Sequence, residues 1–189
     1  MTESHELWMV RHGETEWSRT GRHTGTTDLP LTEAGEAAAS ALRPRLAGVS
    51  FARVLASPLE RARRTAALAG FPNAVPDPRL AEWDYGEYEG VTTPEIRRSV
   101  PGWTVWTHET PGGETAAQVT ARLDALVADV RATEGPVLVF SHGHALRALA
   151  ARWLRLPVTD GRLFMLDTGT ISVLGFEHDE PAVRRWNCG

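Results

Sequence analysis

The stretch "WMVRHGETEW" (residues 8–17) begins as an apolar run and turns abruptly to a cation, an imidazole and a glycine: Arg11, His12 and Gly13. A second stretch, "VLVFSHGHALR" (137–147), has the same form, an apolar run followed by Ser141, His142 and Gly143 and then by residues of helical period. Short apolar runs that close on glycine read as buried strands, and open α/β sheets place their ligand crevices at the carboxyl ends of such strands. If these two strands are parallel neighbours, His12 and His142 meet at one rim. A single strand-end histidine is ordinarily a surface or capping residue; two His-Gly pairs in one chain argue for a site.

Outward from these stretches, apolar runs alternate with helical segments. "LWMV" (7–10), "RVLAS" (53–57), "PVLVF" (136–140), "ISVLGF" (171–176) and "AVRRW" (182–186) read as strands. Thr32 caps a helix carrying Ala38, Leu42 and Leu46, and Ser57-Pro58-Leu59-Glu60 has the form of a capping box that starts another, stopped at Gly70. Thr115 and Gln118 make a further box, after which Val119, Leu123, Leu126, Val127 and Val130 share a face up to Gly135. A last helix over 144–155 buries Leu146, Leu149, Ala150, Trp153 and Leu154. This alternation predicts an α/β sheet with helices on both faces. Residues 83–113, rich in aromatics, proline and glycine, read as an ordered excursion in which Trp103 or Trp106 forms part of a lid.

The 189 residues fit a single domain, 1–189, and the net charge of −4 gives no reason to expect nucleic acid. All 20 cationic side chains are arginines, a bias that genome composition alone can produce. The one cysteine, Cys188, excludes an intrachain disulfide. Glu3, His5 and Glu6 stand where a signal peptide needs a basic start, and no apolar run reaches membrane-spanning length, so a cytoplasmic protein without membrane contact is expected.

Arg61 falls in the first turns of the helix after "RVLA", near the same rim. With Arg11, His12 and His142 it makes a cationic pocket whose natural guest is a phosphate dianion. Cleaving a phosphate ester needs a proton for the leaving oxygen, and "LAEWDYGEYEG" (80–90) offers Glu82, Asp84, Glu87 and Glu89. Spacing does not choose among the four. His142 and His144 form an H-x-H pair but lack further ligands, so no metal is expected, and no nucleotide-binding glycine loop follows a strand.

"VRHGETEW", "RHTGTTDLPLTEAG", "ASPLERARRTA", "EWDYGEYEG" and "FSHGHALR", in this order, make the chain resemble the histidine phosphatase superfamily, the phosphoglycerate-mutase-like proteins, over nearly its whole length. The combination is most similar to the phosphatase branch, with its small acid phosphatases and sedoheptulose-bisphosphatase-like enzymes. The resemblance implies a three-layer α/β/α sandwich with a mostly parallel central sheet and a phosphomonoesterase without cofactor. His12 is then the nucleophile that becomes phosphohistidine, Arg11, Arg61 and His142 hold the phosphoryl oxygens, and Glu82 is the general acid and later the base. Ser18 (where mutases usually place an asparagine), Thr24, Gly25 and the Gly143 backbone complete the oxygen contacts. A hydrogen bond from one ring nitrogen of His12 to the Gly13 carbonyl would fix the reactive tautomer.

Two other readings accompany the phosphatase. A cofactor-dependent phosphoglycerate mutase would need more basic residues than the Arg97 and Arg98 found in 90–113, and a non-catalytic phosphate-binding regulatory module would not need the full catalytic set. The expected partner is a small phosphorylated metabolite: a sugar phosphate, a phosphoglycerate-type acid or an aryl phosphate. Exposed apolar edges fit a homodimer.

Overall fold

The computed structural model describes residues 5–189; Glu3, part of the acidic start weighed against a signal peptide, lies outside the described residues. Six strands form one sheet in the order β3-β2-β4-β1-β5-β6. They are β1 (Leu7–Arg11), β2 (Arg53–Ala56), β3 (Val75–Pro76), β4 (Val137–Ser141), β5 (Ile171–Glu177) and β6 (Glu180–Cys188). The first four strands of that order run parallel, whereas β5 is antiparallel to β1 and β6 to β5. The five strands expected from apolar runs are all present. β3, two exposed residues long, has no apolar pattern to announce it.

Strand side chains alternate between faces, and β4 shows the result. Val137 and Val139 join Leu7 and Met9 under α6 (Ala116–Arg131) and α7 (Gly143–Trp153). Leu138 and Phe140 join Val10 on the opposite face, against Leu46 of α3 (Arg43–Leu46) and Ala66 of α4 (Glu60–Leu68). The fold is therefore a three-layer α/β/α sandwich around a mostly parallel sheet. Two short helices, α1 (Glu16–Thr20) and α5 (Thr93–Ser99), lie in the connections.

Helix boundaries differ from expectation in α2, α6 and α7, and at the start of α4. The segment after Thr32 is two helices, α2 (Glu33–Ala41) and α3, with Pro44 at the start of the second. α6 ends at Arg131, so Gly135, at φ +93°, turns the chain into β4 instead of stopping the helix. α7 spans 143–153, which leaves Leu154 half-buried. Two further capping boxes, Thr15 with Ser18 and Thr92 with Glu95, open α1 and α5.

The chain leaves β1 through a backbone contact. A methyl group on Gly13 would lie 2.3 Å from the Gly35 carbonyl oxygen, and one on Gly35 would lie 2.2 Å from that of Glu14. Thr65 of α4 pins the same point by accepting a 3.0 Å hydrogen bond from the Gly13 N–H. Overpacking typically costs about 1–3 kcal/mol, and backbone cannot step aside as a side chain can. Gly35→Ala is expected to lose about 3 kcal/mol in urea unfolding, whereas Gly48→Ala, facing open space, changes stability by a few tenths.

Candidate active site

Because Arg11 of β1 stands opposite Ser141 of β4, His12 and His142 follow at the same level. Their rings lie 5.2 Å apart, centroid to centroid. The His12 Nδ1 stands 2.7 Å from the Gly13 carbonyl oxygen, which only accepts, so Nδ1 carries the proton. The lone pair is left on Nε2. Burial holds His12 well below the ordinary imidazole pKa, and the nearby Arg11 and Arg61 charges push the same way against the Gly13 bond. A neutral, oriented imidazole results.

Arg61 and His142 are fully buried and neither lines the cavity. The Arg61 Nε donates to His142 Nδ1 at 3.0 Å, and its Nη groups donate to the carbonyls of Thr27, Thr24 and Gly25. With Nδ1 accepting, neutral His142 must donate from Nε2, and it does so to the Ser57 hydroxyl at 2.7 Å. Ser57 is therefore not the helix cap expected of it: α4 starts only at Glu60, whose N–H donates to Asp28 at 2.8 Å. Glu89 grips the 24–27 loop from its other side, accepting from the N–H groups of Gly25 and Thr27 at 2.9 Å. The Gly25 N–H is thus turned away from the cavity.

The cavity measures about 180 Å³. Arg11, His12, Ser18, Thr24, Glu82 and Gly143 line it among the expected residues. Arg11 donates from Nη1 to the Leu166 carbonyl at 2.5 Å, while its buried Nε has no partner. Ser18 donates its hydroxyl proton to the Thr15 carbonyl, and Thr24 gives its own to Arg22. Of the four candidate carboxylates only Glu82 reaches the cavity. It caps α7: Oε1 accepts from the N–H groups of Ala145 (2.7 Å) and Trp83 (2.9 Å), and Oε2 accepts from His144 (3.0 Å). Oε2, with the single bond, keeps the freer lone pair. Asp84 instead caps Gly86, and Glu87 is exposed.

Gly21, Arg22, His23, Tyr85, His144 and Arg147 complete the wall; of these, sequence singled out His144 only as half of an H-x-H pair, and Arg22, His23 and Arg147 not at all. The signal for two of them stood in "SHGHALR", where His144 and Arg147 are three apart on one helix face. The Tyr85 hydroxyl meets His144 Nδ1 at 2.5 Å, and burial keeps the phenol protonated and His144 neutral. Trp103 and Trp106 are buried, not a lid. Trp103 packs edge-on against His23, and Trp106 packs against His144 and lies beneath the Arg147 guanidinium. They stiffen the wall from behind because rings of that size find more apolar area in the core than over a small cavity. Among the described residues no group of three or more His, Cys, Asp and Glu is placed to hold a metal ion, and no helix is long and apolar enough to cross a membrane.

A buried neutral imidazole beside a guanidinium with a free N–H, a helix N-terminus and one carboxylate is the equipment of a protein that moves a phosphoryl group. The chain belongs to the histidine phosphatase superfamily (branch 1), whose family model matches residues 7–189. It is 46% identical over 180 residues to an acid phosphatase of Mycobacterium tuberculosis, covering 93% of this chain and 88% of that protein. It is 34% identical to the sedoheptulose 1,7-bisphosphatase of Saccharomyces cerevisiae, covering 93% and 90%. The solved structure of a Mycobacterium tuberculosis open reading frame superposes with a TM-score of 0.93 at 43% identity, covering 97% of each chain. The protein is a phosphatase of this superfamily.

Burial lowers the pKa of His12, His142 and His144, and that of His23 to about 4. Each group takes up a proton more readily when unfolded, so its contribution to stability is fully present above the ordinary histidine pKa of about 6.5 and is lost as pH falls. Below that value each contributes a slope of about 1.4 kcal/mol per pH unit. Denaturant unfolding at pH 7.5, 6 and 5 is expected to show a steep loss, and substituting His23→Gln should flatten it between pH 6 and about 4.

Proposed function

We propose that the chain hydrolyses small phosphate esters through a phosphohistidine on His12. The observation that carries this reading is the 2.7 Å bond from His12 Nδ1 to the Gly13 carbonyl, which leaves the Nε2 lone pair facing the cavity. In the first step Nε2 attacks phosphorus, the ester P–O bond breaks, and the leaving oxygen takes a proton from Glu82. In the second, water attacks the phosphohistidine and returns its proton to Glu82; the P–N bond breaks and phosphate leaves. The unpartnered Arg11 Nε and the Gly143 N–H, the donor of the first turn of α7 that Glu82 leaves free, receive phosphoryl oxygens. Phosphoryl transfer asks mainly for positioning and charge stabilisation, which these groups supply.

Arg61 and His142 act from beneath. Arg61 reaches a phosphoryl oxygen itself by releasing a carbonyl of the 24–27 loop, while Ser18 and Thr24 offer hydroxyl oxygens at the cavity wall and Gly25 fixes the loop. The cavity of about 180 Å³ is smaller than the roughly 300–1,000 Å³ of drug-sized pockets, which favours a small leaving group. Hydrolysis is favoured over isomerisation by the likeness to an acid phosphatase and a bisphosphatase; of the cations, Arg22 and Arg147 line the cavity, whereas Arg97, bound to the Trp103 carbonyl, and exposed Arg98 do not.

His12→Ala is expected to abolish turnover. Glu82→Gln should slow phosphoenzyme formation from a sugar phosphate by about 10²–10⁴-fold, the usual range for general acid catalysis, and much less from p-nitrophenyl phosphate, whose phenolate leaves without a proton. Alkaline rapid-quench assays of phosphoenzyme separate the two steps. Equal slowing on both substrates would assign Glu82 to capping α7 alone.

A further inference from the structure

We infer that Trp186 and Asn187 are positioning residues for the reaction: from β6 they hold the backbone carbonyl that aims the Arg11 guanidinium at the phosphoryl group. The inference rests on the phosphatase reading of the cavity and concerns how one of its cations is kept in place.

Two contacts set the reach and tilt of Arg11. Gly143 gives the guanidinium room, since a methyl group there would lie 3.3 Å from Nε and Cζ, and Nη1 donates to the Leu166 carbonyl at 2.5 Å. Leu166 belongs to no strand or helix. It lies in the irregular strap 164–170, between the 3₁₀ turn Val158–Leu163 and β5. A carbonyl on such a segment aims nothing unless the segment is itself fixed.

β6 fixes it on both sides of Leu166. The Trp186 Nε1–H donates to the Met165 carbonyl at 2.5 Å, and its ring packs on Phe164 with centroids 5.2 Å apart. The Asn187 side chain grips Asp167 twice: Oδ1 accepts from the Asp167 N–H at 2.7 Å, and Nδ2 donates to Oδ2 at 2.8 Å. Asn187 faces the strap because β6 bulges there. Between its pairs with Ile171 and Val173 of β5, β6 takes three residue steps against two. Asn187 absorbs the extra step at φ +53°, a left-handed conformation that asparagine tolerates. Its own N–H is anchored on the buried Ser172 hydroxyl at 2.9 Å, and Arg45 of α3 donates to the Cys188 carbonyl at 3.1 Å. The side-chain bonds of Trp186 and Asn187 lie outside the β5–β6 ladder, and all three meet residues that flank Leu166. Asp167 also serves Arg11 by its charge: burial lowers the Arg11 pKa, and the Glu82 and Asp167 carboxylates oppose that.

The test measures kcat/KM on p-nitrophenyl phosphate and glycerol 3-phosphate, and the Ki of orthovanadate, whose five-coordinate form resembles the transferring phosphoryl group. Ki, unlike kcat, does not depend on how much of the protein is folded. Trp186→Phe, which keeps the ring and loses the N–H, and Asn187→Ala should each raise the vanadate Ki by roughly tenfold, the range of one charged hydrogen bond. Both should lower kcat/KM alike on the two esters, because Arg11 serves the phosphoryl group and not the leaving group. The exchanged pair Asp167→Asn/Asn187→Asp, which preserves both hydrogen bonds and the net charge, should recover most of the loss. Single variants whose kcat falls with Tm while Ki stays at the wild-type value show a role in folding alone and overturn the inference. So do single variants with unchanged kinetics. A wild type inactive on both esters overturns the phosphatase reading itself, and this one with it.

Discussion

One fully buried guanidinium orders the centre of this molecule. Arg61 reaches from α4 to the ring of His142, at the end of β4, and to three carbonyls of the 24–27 loop. A buried charge is tolerable only when its donors are satisfied, and the chain bends a loop around this one to satisfy them. Glu89 takes the N–H groups on the loop's far side, so the loop lies between a cation and an anion. The tautomer of His142, the hydroxyl of Ser57 and the late start of α4 all follow from that arrangement.

Around Arg61 the site separates charge from basicity. Arginine carries the positive charge, and burial keeps the four cavity-side histidines neutral. A nucleophilic imidazole needs its lone pair, and an oxyanion needs cations; a protonated histidine would supply the second by giving up the first. The chain, with arginine as its only permanent side-chain cation, divides the two tasks between residue types. Glu82 has a double employment of its own, because the carboxylate proposed to move protons also completes the first turn of α7.

What could be read from sequence was whatever local chemistry decides. Alternating apolar runs gave five strands, the Thr115–Gln118 box gave the start of α6, and strand-end glycines brought His12 and His142 together. Ser57 misled because its local partners form a respectable cap, yet His142, 85 residues away, claims its hydroxyl. Glu89 stood undistinguished among four candidate acids for the same reason: the N–H groups it binds lie more than 60 residues upstream. The tryptophans of 83–113 announced burial but not direction. The outer wall of the cavity was less legible, because His144 and Arg147 meet it only once α7 is docked beside the loops that carry Arg22, His23 and Tyr85.

The position of β1 in the sheet has a consequence for how the chain is made. β1 is an interior strand, and both of its neighbours, β4 and β5, are encoded more than 120 residues later. Ribosomes add roughly 5–20 residues per second, so Leu7, Met9 and Val10 spend on the order of ten seconds without any strand to pair with. The usual order, in which an N-terminal unit folds while the rest is still emerging, is closed to this topology. β1, which leads into His12, is synthesised before either strand it pairs with, and throughout that interval its apolar edge is open to chaperones and to the same edge on neighbouring nascent chains.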